Sequence, residues 1–507
     1  MSEARNVVVF MCDQLRPDFL SLYGCTAIPT PNLDRLAREG VVFDRAITVS
    51  TVCAPARASM MTGRFVSDHG VWTNDVPFRD GLDYLPRRIN KLGYATGAFG
   101  KLHHYPAADG KGFNVFHPME EGRLGDAEPY LHWLKARHPE VSGIWNFTGH
   151  EFDYDEDEYY EHWIASRALD FIKKTRDTDS CPFLAWISFQ GPHGPIDPPR
   201  EVHGTCDESQ LPAPLQREAV DTTAIPSTVR NRERCGALPS GDELLAMRLA
   251  YAEEIVAIDR QIGRVMQQLE VWGLYESTSF IFTADHGDML ADYRLQAKGP
   301  FPYRAQLEIP LLVANHPDLD AGTRSPHLSS NIDVPGTVLD IAGAGQPLGV
   351  SRSLIDLARE NPARPRRVNF CEFCDSVKTL ENRRYRFSYY PFSQEKELYD
   401  LEQDPDQTVN LAGNPDLAAV QAQFMQDLVD FLLIAKGVRI EAHDFVPEQQ
   451  KGLAAKDPHY QERFPVAFPL TSAERERLKA AGMPADFNEF CRDKDVLRSY
   501  LPPYWQD

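Results

Sequence analysis

Two short, uninterrupted apolar runs constrain this chain more than any other feature. Val7-Val8-Val9-Phe10-Met11 stops abruptly at Cys12-Asp13-Gln14, and Ser279-Phe280-Ile281-Phe282-Thr283 stops at Ala284-Asp285-His286-Gly287. Runs of β-branched and aromatic residues without polar alternation read as strands covered on both faces, the condition of a parallel sheet. The covering helices must then lie between them. Tyr251, Ile255, Ile258, Ile262, Val265 and Leu269 recur at three- and four-residue steps ahead of the second run, as an amphipathic helix requires. Tyr160, Ile164, Leu169 and Ile172 suggest a further helix ahead of the apolar run Phe183 to Phe189, and Pro310 to Ala314 is a further strand candidate. Strand and helix thus alternate over residues 1–345, which predicts one large α/β domain. Ligands of such sheets sit outside the carboxyl ends of the strands, where Asp13 and Asp285 are expected.

The texture changes after residue 345. Tyr385, Phe387, Tyr389 and the segment Glu397-Leu398-Tyr399-Asp400-Leu401 look strand-like and precede a helix around Leu417 to Leu433, so 346–436 reads as a small α+β subdomain. Residues 437–507 form a Pro- and charge-rich extension ending in Tyr500-Leu501-Pro502-Pro503-Tyr504-Trp505. Such an end serves as a subunit contact or packs on its own chain, and a homo-oligomer is expected.

Formal net charge is -21 with no long Lys/Arg block, which argues against a nucleic-acid partner. Any sulfate or phosphate site must therefore be locally positive against the background. The apolar run after Arg5 is too short for a signal segment, and no stretch approaches the roughly 18 apolar residues of a membrane span. Nine cysteines, an odd number without secretory context, suit reduced thiols and a cytoplasmic location. Cys371-x-x-Cys374 lacks the second pair that a zinc site needs and is read as two ordinary thiols.

Cys53-Ala54-Pro55-Ala56-Arg57 is followed at close range by Thr62-Gly63. Read alone, it is a loop thiol beside an arginine at a helix N-terminus. Its company is more specific. Asp13-Gln14 and Asp285-His286-Gly287 offer oxygen and imidazole donors suited to one divalent cation. Gly100-Lys101-Leu102-His103, His193 within Gln190-Gly191-Pro192-His193-Gly194-Pro195, and Lys298 within Gln296-Ala297-Lys298-Gly299 supply the positive field that the global charge lacks. Together with Pro31-Asn32-Leu33-Asp34-Arg35-Leu36-Ala37, Asp404-Pro405 and Asn410-Leu411, these segments resemble the formylglycine-dependent (type I) sulfatase family of the alkaline phosphatase superfamily, over roughly residues 5 to 415.

The resemblance implies an alkaline-phosphatase-like α/β fold: a large mixed sheet sandwiched by helices, with a smaller C-terminal α+β subdomain. It implies that a formylglycine-generating system oxidises Cys53 to formylglycine, whose hydrate attacks a small-molecule sulfate ester. Asp13, Gln14, residue 53, Asp285 and His286 would hold the metal. Sulfatases commonly place acids and an asparagine where this chain has Gln14 and His286, which leaves both calcium and manganese open. By the same likeness, Arg57 and Lys101 hold the diol, Asp285 accepts the attacking proton, and His193 protonates the departing oxygen. Lys298 holds a sulfate oxygen and His103 takes the second diol proton so that sulfate leaves. Asn74 would lie near the transferred anion. Phosphonate monoester hydrolases and phosphodiesterases of the superfamily share the cysteine signature, and choline-sulfatase-like enzymes share the donor pairs. Retention of Gly-Lys-x-His favours sulfate over phosphonate.

Overall fold

The computed structural model describes residues 4–143, 151–178, 181–215, 241–363, 365–434 and 480. The extension read over 437–507 lies, apart from Ala480, outside the described residues. Both sheets described below belong to one compact unit, Met1–Lys436.

Twelve strands are named in chain order: β1 (Asn6–Cys12), β2 (Gly40–Ile47), β3 (Ala95–Gly100), β4 (Val115–Pro118), β5 (Phe183–Ser188), β6 (Thr278–Ala284), β7 (Leu311–Ala314), β8 (Thr323–Ser330), β9 (Asn369–Phe373), β10 (Val377–Glu381), β11 (Tyr385–Tyr390) and β12 (Glu395–Asp400). The first eight form one sheet in the order β4-β3-β5-β1-β6-β7-β2-β8. β7 runs antiparallel to both neighbours while the other pairs are parallel, which makes the sheet mixed. The two apolar runs are adjacent central strands, with Val8 opposite Phe280 and Phe10 opposite Phe282, and every residue of both is buried.

Helix Tyr160–Thr178 packs on β3 and β5 and against the 30-residue helix Asp242–Val271. The periodic Ile255, Ile258, Ile262, Val265 and Leu269 are all buried in the main core. The small sheet is antiparallel in the order β12-β11-β10-β9, and helix Ala418–Ile434 packs on it through a stacked Phe387–Phe424 pair with centroids 5.5 Å apart. This second core also takes in Val49, Phe65 and Ile332, so the small sheet braces the segment that leads into Cys53. The alkaline-phosphatase-like mixed sheet and the smaller C-terminal α+β layer expected from the sequence are both present.

Adjacent strands β3, β5, β1 and β6 are parallel, so their carboxyl ends open on one edge. Each delivers polar residues there: Lys101 and His103 after β3, Ser188 and Gln190 at β5, Asp13 and Gln14 after β1, Asp285 and His286 after β6. This is where a doubly covered sheet leaves room for a ligand.

Candidate active site

Cys53 begins helix Cys53–Thr62, whose ten residues are all buried, and Arg57 lies one turn on. The i, i+4 spacing puts both side chains on one face. Arg57 Nε donates to Asp285 Oδ2 at 2.8 Å and Nη2 to Asp13 Oδ2 at 3.0 Å, while Nη1 donates to Ser188 Oγ at 2.9 Å and to the Lys101 carbonyl. One guanidinium thus joins the ends of β1, β5 and β6 to the loop after β3. Its planar fork of donors suits it to that task.

Asp13, Cys53, Asp285 and His286 present one donor atom each, all within 4.8 Å of one another and all buried. The Cys53 thiol lies 3.2 Å from His286 Nε2 and donates to Asp13 Oδ1 at 3.6 Å. His286 Nδ1 lies 2.8 Å from the Gly287 carbonyl, and donation there leaves the Nε2 lone pair facing the Cys53 thiol and able to ligate a metal. Gln14 sits at φ 66°, with its backbone N–H donating to Asp285 Oδ1 at 2.9 Å. Its Nε2 donates to Asp288 Oδ2, which turns Oε1 toward Lys298 at 2.9 Å. Lys298 Nζ also donates to Cys53 Sγ at 2.7 Å. Two carboxylates, an imidazole and a thiol around one point, with the Gln14 amide oxygen held on Lys298, fit a divalent cation.

Local backbone explains the glycines of two motifs. A Cβ on Gly100, at φ +89°, would stand 2.0 Å from the Ser188 carbonyl oxygen, and one on Gly287 would stand 2.1 Å from that of Ala305. Neither position has room for a side chain.

Lys101 is fully buried, with Nζ 2.5 Å from Asp13 Oδ2 and paired with Glu121. Burial alone would push the Asp13 carboxyl up, but Lys101, His193, Arg57 and Lys298 outweigh it and hold it well below its usual range. His103 is fixed by its backbone N–H, which donates to Glu120 Oε1 at 3.0 Å, and neither of its buried ring nitrogens has a hydrogen-bond partner. Burial, with Lys101 nearby, pushes its pKa well down. His193 is partly exposed, with Nδ1 2.6 Å from the Gly194 carbonyl. Burial of the ring, with Lys101 and Lys298, pushes its pKa down to about 3, so the ligand-free imidazole is neutral. Asn74 Oδ1 accepts the Ala54 N–H at 3.2 Å, which places it at the start of the nucleophile helix.

Thus Asp13, Gln14, Cys53, Arg57, Lys101, Asp285, His286 and Lys298 form one bonded cluster. His193 joins it through Glu121, His103 through its backbone, and Asn74 from the helix start. Three residues in it escaped the reading of the sequence. Asn331 Nδ2 donates to the Asp285 carbonyl at 2.9 Å, Asp288 orients Gln14, and Glu121 lies 3.3 Å from His193 Nδ1. No local pattern marks the first and third. Asp288 was visible only as the last residue of Asp-His-Gly-Asp. Cys371 and Cys374 lie elsewhere, the first packed with Ile47 and Leu307, the second donating its thiol to the Trp72 carbonyl at 3.0 Å.

A family model described as Sulfatase matches residues 5–344. The chain belongs to the sulfatase family. A second model, described as N-sulphoglucosamine sulphohydrolase, C-terminal, matches residues 296–432 of this sulfatase, across the small sheet and its helix. An arylsulfatase from Clostridium perfringens is 29% identical over 443 residues, covering 81% of this chain and 91% of its own. The multifunctional alkaline phosphatase superfamily protein PehA from Trinickia caryophylli is 28% identical over 496 residues, covering 85% and 95%. In fold, the sulfatase is similar to the crystal structure of a phosphonate monoester hydrolase from Agrobacterium radiobacter, with a TM-score of 0.74 at 24% identity, covering 85% and 96%. Membership makes the chain a sulfuric ester hydrolase. Among its described helices none is long and apolar enough to cross a membrane.

Proposed function

We propose that this sulfatase hydrolyses small-molecule sulfate esters through residue 53 after oxidation of Cys53 to formylglycine. The observation that carries the reading is the convergence on Cys53 Sγ of Lys298 at 2.7 Å, His286 at 3.2 Å and Asp13 at 3.6 Å, with Arg57 bridging the two acids beneath. Sγ and the oxygen of the modified residue are both the atom bonded to Cβ, so these contacts describe the surroundings of the nucleophile. A thiol with no partner cysteine in its neighbourhood motif, walled by cations, suits oxygen nucleophilicity toward an anion better than redox exchange.

Asp13, Gln14, Asp285 and His286, with residue 53, would hold one divalent cation, calcium or manganese, which supplies charge neutralisation at the sulfate and the nucleophile. The chain's own residues do the rest. Lys298 holds a sulfate oxygen, Lys101 helps to hold the diol, and both offset charge at the reacting centre. Arg57 fixes the diol, and Asp285, whose Oδ1 and Oδ2 face Gln14 and Arg57, accepts the attacking proton. His193 gives a proton to the departing alcohol. Burial is the largest reason why its imidazole is neutral without substrate; an anionic ester between Lys101 and Lys298 offsets the part that the two lysines add, which moves the pKa of the acid upward. His103, unpartnered and neutral, takes the second diol proton so that sulfate is expelled.

Phosphonate monoester or phosphodiester hydrolysis is the second reading, favoured by the Asp13-Gln14 and Asp285-His286 donor pairs and by the likeness to PehA and to the Agrobacterium hydrolase. The intact Lys101 and His103 element favours sulfate. The test is a panel of aryl sulfates, choline sulfate and phosphonate monoesters, on protein shown to be modified at residue 53. A higher kcat/KM for phosphonate monoesters than for every sulfate ester would reverse the order of the two readings.

A further inference from the structure

The turn after β4 carries two consecutive acids that bracket the site from outside its signature motifs. Glu120 is buried and accepts the backbone N–H of Leu102 at 2.7 Å and of His103 at 3.0 Å, holding the loop of Lys101 and His103 from below. Glu121, at φ 55°, turns the other way. Its Oε1 pairs with Lys101 Nζ, accepts from Gln190 Nε2 at 2.5 Å and lies 3.3 Å from His193 Nδ1, while Oε2 lies 2.6 Å from Arg123 Nη1. Non-glycine residues seldom hold a positive φ without a reason in their surroundings.

We propose that Glu121 is the positioning residue for proton delivery by His193 to the leaving group, an inference that rests on the acid role given to His193 above. The charged groups that face this imidazole are Lys101 from the loop after β3, Lys298 from the loop after β6, Asp13 from the end of β1, and Glu121. Both lysines oppose the imidazolium. Of the two carboxylates that favour it, Glu121 is the one in contact. Its carboxylate stands 3.3 Å from Nδ1, the nitrogen placed 2.6 Å from the Gly194 carbonyl, so Nε2 is the nitrogen left for the substrate and the proton that moves is the one there. In the step itself, the residue 53 oxygen forms a new S–O bond and the S–O bond to the alcohol breaks. Its electron pair stays on the alcohol oxygen, and the Nε2 proton of His193 moves there, leaving neutral imidazole. Through its second contact Glu121 keeps Lys101 beside the same reacting centre.

The experiment compares wild type, Glu121→Gln, His193→Ala and the double variant on sulfate esters graded by leaving-group pKa, from nitrophenyl to alkyl. General acid catalysis is worth about 10² to 10⁴ in rate, so both single variants are expected to slow alkyl sulfates at least tenfold more than nitrophenyl sulfates. The double variant should show the same dependence on leaving-group pKa as His193→Ala, because residues acting as one unit are not additive, while any loss through Lys101 slows all esters alike. Equal slowing of all esters by Glu121→Gln, or a dependence in the double variant steeper than in His193→Ala, would overturn the role of Glu121 while leaving His193 as the acid. A slope for His193→Ala equal to wild type would overturn the acid assignment and this inference with it. Glu121→Asp, which keeps the charge and draws it back by one methylene, carries the same comparison if the glutamine variant does not fold.

Discussion

Glu161 gives the fold a pH dependence whose sign and size follow from its surroundings. It is buried at the start of helix Tyr160–Thr178 and accepts the Gly191 N–H at 2.6 Å and the Gln190 N–H at 3.3 Å, so it anchors the loop that carries His193. Burial, reinforced by Asp197 and Asp13, pushes its carboxyl up to about 8 from an ordinary 4.5. Between those values the folded chain holds a proton that the unfolded chain has lost. Stability therefore falls as pH rises through this window, by roughly 3 to 5 kcal/mol for the single group. Asp197, pushed up to about 7 by burial, adds in the same direction. Glu161→Gln removes the titration while keeping an oxygen for the loop. Relative to wild type, the variant should gain stability between pH 5 and pH 8.5, seen as about 3 to 5 °C in melting midpoint for a unit of this size. The assay is thermal denaturation of both proteins across that range in matched buffers. Parallel curves would refute the reasoning, because they would mean that Glu161 titrates alike in the folded and unfolded chain.

Three further outcomes follow from the site. Arg57→Met leaves Asp13 and Asp285 without their shared buried partner, a loss of about 3 to 5 kcal/mol; the drop in melting midpoint should be larger after chelation than with metal added, and equal drops would contradict the cation assignment. Asp288→Asn frees the Gln14 amide to turn, and displacing a partner that orients a ligand typically weakens metal affinity about 10- to 100-fold; metal content on dialysis against a graded chelator measures it. Asn331→Ala removes the donors to the Asp285 carbonyl and to Thr48 Oγ1. It should lower stability by about 1 to 3 kcal/mol and activity with it, read by melting midpoint and steady-state rate.

The parts of the fold that a periodic pattern could express were legible in the sequence. β1 and β6 are seven-residue buried strands with no interruption, and the helix before β6 shows its three- and four-residue steps openly. β3, with the sequence Ala-Thr-Gly-Ala-Phe-Gly, and β8, which contains Pro326 and exposed polar residues, carry no such signal. Pairing on the sheet defines them. The site divides in the same way. Residues held by fixed spacing, such as Cys53 with Arg57 or Asp285 with His286, can be seen in one dimension. Glu121 meets Lys101 across 20 residues and His193 across 72, contacts that exist only once β3, β4 and β5 lie side by side.

The central claim is that residue 53 is the nucleophile in an oxidised form. Mass spectrometry of the tryptic peptide containing residue 53, taken from an active preparation, tests it most directly. The account predicts formylglycine, with sulfur and two hydrogens lost and one oxygen gained, in proportion to specific activity. A fully active preparation in which Cys53 retains its thiol would contradict it.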